Sequence, residues 1–214
     1  MSDTTAAREL NILAEQAATC TACRLAEART NVVFGDGSST ADVMFIGEGP
    51  GRNEDLQGIP FVGAAGQLLN RLLAEIGMER SDVYIANVVK CRPPGNRDPR
   101  PDEIAACKDF LASQIRLIDP AVVMTLGNFA TKLLLKEERG ITRLRGTAYP
   151  WWNRTVIPTF HPAAALRGSP SVLAAMQEDF ALVKATLEGR AGSSPQPPSG
   201  PAADDAFEQL GLFR

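Results

Sequence analysis

The stretch FIGEGPGRNED, residues 45–55, crowds carboxylates among the least bulky residues a chain has. The hydrophobic run DVMFI stops at a loop containing Gly47, Gly49 and Gly51, and the same segment carries Glu48, Glu54 and Asp55. Glycines let backbone approach a bound group closely. A carboxylate beside such a slot can stabilise developing positive charge or orient and activate water. The plainer alternative for Glu48 or Glu54 is an acid in the first turn of a short helix; Asp55 reads as a capping or pairing residue. His161, the one histidine, stands in FHPAAALR. Asn87, in YIANVVK, offers an amide donor and acceptor together.

Four cysteines complete the reactive set: Cys20 and Cys23 as C-x2-C, then Cys91 and Cys107 with fifteen residues between them. A cytosolic chain is a poor place for structural disulfides, whereas four thiolates suit tetrahedral zinc or an iron–sulfur cluster. The alternative for Cys91 and Cys107 is a pair of ordinary buried thiols. Spacing alone does not choose the metal, although the long second interval leans towards iron.

The elements that must position these groups follow from period and punctuation. Buried strands are expected at residues 42–46, 82–89, 121–127 and 155–160, and helices at 5–19, 64–77, 100–118, 128–136 and 171–189. Strand and helix alternate, so the expected fold is α/β, a three-layer α/β/α sandwich around a parallel sheet. In such folds the site lies outside the carboxyl ends of the strands. GEGPG, KCRPPGN and HPAAALR all fall there.

The chain has 214 residues, 44% of them hydrophobic, enough for one substantial core, and a net charge of −3. That balance does not announce a nucleic-acid partner, but the distribution says more: Lys90, Arg92, Arg97 and Arg100 face only Asp98 within one short stretch. No signal peptide is read, and no apolar run reaches the ~18 residues that span a membrane; the expected setting is the cytoplasm. Residues 1–190 form the expected globular unit. Residues 191–205, rich in Gly, Ser, Pro and Ala, are expected to be a disordered linker. Residues 206–214 end the chain with a fresh apolar cluster, either a frayed helix folding back or a tethered peptide ligand.

With these residues in view, the chain resembles the type-4 uracil-DNA glycosylases. The resemblance covers about residues 18–188 and rests on CTACRL, GEGPGRNEDLQGIPFVGAAGQLL, NVVKCRPPGNRDPRPDEIAAC and FHPAAALR. It implies a sandwich with a four-stranded parallel sheet, and a [4Fe–4S] cluster on Cys20, Cys23, Cys91 and Cys107, zinc being the lesser alternative. It further implies hydrolysis of the N-glycosidic bond of uracil in DNA, leaving an abasic site. Glu48 takes the part of water-activating residue, with Glu54 a second acid near uracil. Gly47, Gly49 and Gly51 form the slot wall. Phe61 stacks on the base, Asn87 reads its O4 and N3–H edge, and His161 donates to O2.

A glycosylase must take its base out of the stack or act on single strands. Leu166 or Arg167 is expected to enter the vacated position, and Lys90, Arg92 and Arg97 to meet DNA phosphates. The cluster needs no redox role in a hydrolysis and is expected to pin the 90–100 loop. QLGLF, with Gln209, Leu210, Leu212 and Phe213, looks like the pentapeptide by which bacterial repair proteins and polymerases bind the sliding clamp. The reading is of a monomer acting on uracil-containing DNA. A cross-linking variant of the superfamily carries a histidine near the position of Cys91; this chain has none there, so ordinary turnover is expected. The competing class is a non-catalytic metal-bearing scaffold that binds DNA without releasing base. A nucleotide-binding role is disfavoured, because GEGPGRNED has neither phosphate-loop spacing and its acids repel phosphate.

Overall fold

The computed structural model describes residues 3–168 and 170–191. In chain order the helices are α1 (Asp3–Ala18), α2 (Arg52–Gln57), α3 (Ala64–Glu75), α4 (Pro101–Ile118), α5 (Asn128–Leu135), α6 (Ile141–Leu144), α7 (Pro162–Ala165) and α8 (Pro170–Ala191). The strands are β1 (Asp36–Gly37), β2 (Val43–Gly47), β3 (Tyr84–Asn87), β4 (Val122–Leu126), β5 (Tyr149–Trp151) and β6 (Arg154–Thr159).

The sheet runs β1-β3-β2-β4-β6-β5. Its inner four strands are mutually parallel, as expected. The expectation of four strands falls short at both edges, where β1 and β5 pair antiparallel. Neither carries the long apolar run that marks a buried strand: β1 is Asp-Gly, and β5 has a proline at its centre.

Every residue of β2 and of β4 is buried, the pattern of a strand covered on both faces. Alternate side chains feed two cores. Met44 and Ile46 join Leu10 of α1, Leu111 and Ile115 of α4 and Leu134 of α5. Val43 and Phe45 join Leu68, Leu69, Leu72 and Leu73 of α3 and Met176, Phe180 and Val183 of α8. These are the three layers. Pro101 occupies the first turn of α4, where its missing N–H costs nothing.

One buried ion pair fixes the end of β6. Arg145 grips Asp179 of α8 with two nitrogens, at 2.9 and 2.7 Å, and Thr159 donates its hydroxyl to the same carboxylate at 2.6 Å. Burial pushes the Asp179 carboxyl up, while Arg145 and Thr159 pull it back down. Removing one member strands the other, so Asp179→Ala is expected to cost about 3 kcal/mol, measured by urea unfolding. His161 lies two residues beyond Thr159, and its placement is expected to loosen with the pair.

The expected linker and terminal peptide, with Gln209, Leu210, Leu212 and Phe213, lie outside the described residues. Among the described residues no helix is long and apolar enough to cross a membrane.

Candidate active site

Three parallel strands end at one place. Gly47 closes β2 and is in register with Asn87, which closes β3. Beyond the sheet the two chains stay tied, Val88 N–H donating to Gly47 O at 2.9 Å and Val89 N–H to Glu48 O at 3.2 Å. β6 ends at Thr159, and His161 follows as the N-cap of α7.

Gly47 has no room for a side chain. A Cβ there would overlap Asn87 Oδ1 and lie 2.8 Å from Phe61 Cζ. Backbone, amide and aromatic ring therefore meet at one point. Asn87 is 2% exposed, and its Oδ1 is buried with no hydrogen-bond partner. Such an acceptor is costly to leave unmade in a finished fold, and a bound donor would satisfy it.

Phe61 adopts φ +53°, an uncommon left-handed conformation for an aromatic residue. The surrounding turn is held from both sides. Arg80 donates to Pro60 O at 2.6 Å and Phe61 O at 3.4 Å. Glu54 Oε1 accepts the amides of Val62 and Gly63 at 3.0 and 3.1 Å. Glu54 thus braces the aromatic turn. It sits in the first turn of α2, a six-residue helix, as the plainer alternative for it had it. Asp55 is buried and accepts the Thr30 amide at 2.9 Å, the pairing role expected of it.

The rings of Phe61 and His161 lie 5.7 Å apart, tilted by 33°. His161 Nδ1 accepts the Ala163 amide at 3.2 Å, which leaves the proton of the neutral ring on Nε2. Burial, then the nearby Arg167, push the imidazole towards its neutral form. Gly127, at φ +94° just beyond β4, lets the chain come close to His161, since a Cβ there would lie 3.0 Å from His161 Cβ.

Glu48 is half-buried. Burial, the charge of Asp98 and a hydrogen bond with that carboxyl push Glu48 up to about 7. A carboxylate poised there can accept a proton near neutral pH. Asp98 entered the sequence reading only as a charge opposing its basic neighbours; its proximity to Glu48 comes from the fold. Gly49 lies beneath Val89, and Gly51 caps α2 beside Glu54.

Leu166 and Arg167 stand exposed at the end of α7, Leu166 at 45%. Arg92 Nε donates to Asn96 Oδ1 at 2.7 Å. One expected phosphate contact needs correction. Lys90 is 1% exposed, and its ammonium donates to Asn87 O at 2.9 Å and Gln114 Oε1 at 2.5 Å; it faces the interior. Arg97 is engaged bidentately with the buried Glu103, at 2.6 and 2.9 Å, and so braces the start of α4.

Cys20, Cys23, Cys91 and Cys107 line one pocket, with Arg29 and Lys90 in its wall. Arg29 Nη1 donates to Cys91 Sγ at 3.5 Å and the Lys90 amide to Cys107 Sγ at 3.3 Å. Burial raises the Cys107 thiol to about 11. Among the described residues no three His, Cys, Asp or Glu side chains converge on a single-ion site.

The profile of the uracil DNA glycosylase superfamily matches residues 34–184, and the chain belongs to that superfamily. Within it, the chain is 46% identical to the type-4 uracil-DNA glycosylase of Saccharolobus solfataricus over 190 residues, 85% of this chain and 88% of the relative. It is 49% identical to the type-4 uracil-DNA glycosylase of Thermotoga maritima over 166 residues, 77% and 86% of the two chains. A type-5 uracil-DNA glycosylase from Pyrobaculum aerophilum matches at 38% over 60 residues, 28% of this chain and 26% of the relative. The type-4 likeness spans most of both chains.

Proposed function

We propose that this chain hydrolyses the N-glycosidic bond of uracil in DNA, releasing the free base and leaving an abasic site for base excision repair. The observation that carries the reading is Asn87 Oδ1, buried without a partner where Gly47 and Phe61 meet. Uracil N3–H is a donor that completes it. Cytosine presents an unprotonated N3 at that position and leaves the acceptor unpaired.

In this reading the everted base lies against Phe61, with its edge on Asn87 and its O2 towards His161 Nε2–H. The bond from C1′ to uracil N1 breaks, its electron pair passing to the base. His161 steadies that negative charge as a neutral donor. Water adds to C1′, and Glu48 takes its proton. Exposed Leu166 or Arg167 fills the gap left in the stack, and Arg92 meets phosphate.

The pH dependence follows from Glu48. The base form is present above about 7 and lost below it. Rate is therefore expected to rise through neutral pH and level off above it. Asp98→Asn removes one of the groups that raise Glu48, so the rising limb should move to lower pH. A pH profile of kcat/KM on a labelled oligonucleotide measures both.

The four cysteines are the residues that hold a [4Fe–4S] cluster in this reading, and their arrangement round a shared pocket supports it. Bound there, the cluster supplies a rigid tether among α4, the Cys20–Cys23 turn and the loop after β3. Clamp binding by QLGLF is the remaining part of the proposal. The end of α8 favours it: Arg190 donates to Asn153 O at 2.8 Å, placing that end by the turn before β6. That end of α8 lies by the amino ends of the strands, opposite the carboxyl ends that carry the site. Deleting residues 205–214 should leave oligonucleotide activity unchanged and abolish clamp pull-down.

The deciding experiment for the activity is uracil release from a labelled oligonucleotide. Alkali-labile sites at uracil, and none at cytosine, support the reading. DNA binding without base release replaces it with the scaffold reading.

A further inference from the structure

Lys90 poses a charge problem. An ammonium taken out of water is costly unless an anion meets it. Its Nζ contacts are the Asn87 carbonyl, Gln114 Oε1 and the face of Phe34, whose ring centre lies 5.8 Å away. All three are neutral. The arrangement is nevertheless built for a cation. Gln114 is fully buried, and its Nε2 donates to Phe34 O at 2.9 Å and to Tyr84 Oη at 3.1 Å, which fixes its oxygen towards Lys90. Among the described residues, an adjacent source of that anion is the four-cysteine pocket: Lys90 is one of its lining residues, and its backbone amide donates to Cys107 Sγ at 3.3 Å. Arg29 lines it too, anchored to Cys20 O at 2.6 Å with Cys91 Sγ in reach.

We propose that Lys90, together with Arg29, is a built-in counter-cation for an anionic metal–thiolate assembly in this pocket. This rests on the iron–sulfur reading above. Four thiolates around a [4Fe–4S] core leave a net charge of about −2 in the oxidised state. One lysine and one arginine set two positive charges against it. The same ammonium holds the carbonyl of Asn87, so the charge that balances the pocket also steadies the residue that reads the base.

The test uses the loaded full-length protein. Iron and sulfide analysis of the wild type comes first; absence of iron, or zinc in its place, defeats the underlying reading rather than this proposal. With iron present, the midpoint reduction potential is measured by a redox titration followed by electron paramagnetic resonance. Lys90→Gln keeps a donor for Asn87 O but removes the charge. Gln114→Glu leaves Lys90 in place and neutralises it with a carboxylate. Arg29→Gln removes the second cation. Reduction adds a negative charge to the assembly, so each change should move the potential to more negative values. Iron should also pass severalfold faster to an added chelator. Wild-type potentials in Lys90→Gln and Gln114→Glu overturn the proposal; if either variant does not fold, the other decides.

Discussion

Replacing His161 with alanine is expected to slow uracil release by about 10²–10³-fold, the usual cost of losing one donor aimed at developing negative charge. Two contacts prepare that donor. The Ala163 amide occupies Nδ1, which leaves Nε2 with the proton, and burial holds the ring neutral. Acidification should therefore not improve the step. His161→Gln, which restores an N–H on a different frame, should recover part of the loss, and oligonucleotide binding should change far less than kcat. Single-turnover rates at saturating enzyme separate the two effects.

Asn87→Ala is expected to cost roughly 10–100-fold in kcat/KM, in line with about 1.5–3 kcal/mol for a hydrogen bond to a group carrying charge. Asn87→Asp should do worse. It keeps an acceptor for N3–H but loses the donor for O4 and sets a carboxylate beside a departing anion. Neither change should unfold the protein through a lost internal bond, since Asn87 Oδ1 has no protein partner to lose. Rates on uracil measured beside thermal melts test both halves of the statement.

The parallel core was legible because β2 and β4 are short apolar runs ended by glycine, and because the helices between them carry apolar faces at helical spacing. The edge strands were not, since two residues in β1 and a proline in β5 leave no period to read. Asn87, Phe61 and His161 were found through motif resemblance; their convergence needed the β2–β3 register and the left-handed turn at Phe61, which no local pattern encodes. Lys90 misled for a physical reason. A lysine beside Arg92 reads as part of a basic surface, but Gln114 on α4 supplies an internal acceptor that turns it inward. Arg97, by contrast, stays partly exposed while its guanidinium holds Glu103. Asp98, read in the sequence only as a charge opposing its basic neighbours, adds to burial in raising Glu48.

The central claim is that Asn87 Oδ1 is held for the N3–H of an everted uracil. A crystal structure of Glu48→Gln with a uracil-containing oligonucleotide tests it most directly. The account predicts uracil N3 within roughly 2.7–3.2 Å of Asn87 Oδ1, the base face on Phe61, and His161 Nε2 against O2. A base seated away from Asn87, with Oδ1 bonded to protein or water, contradicts it.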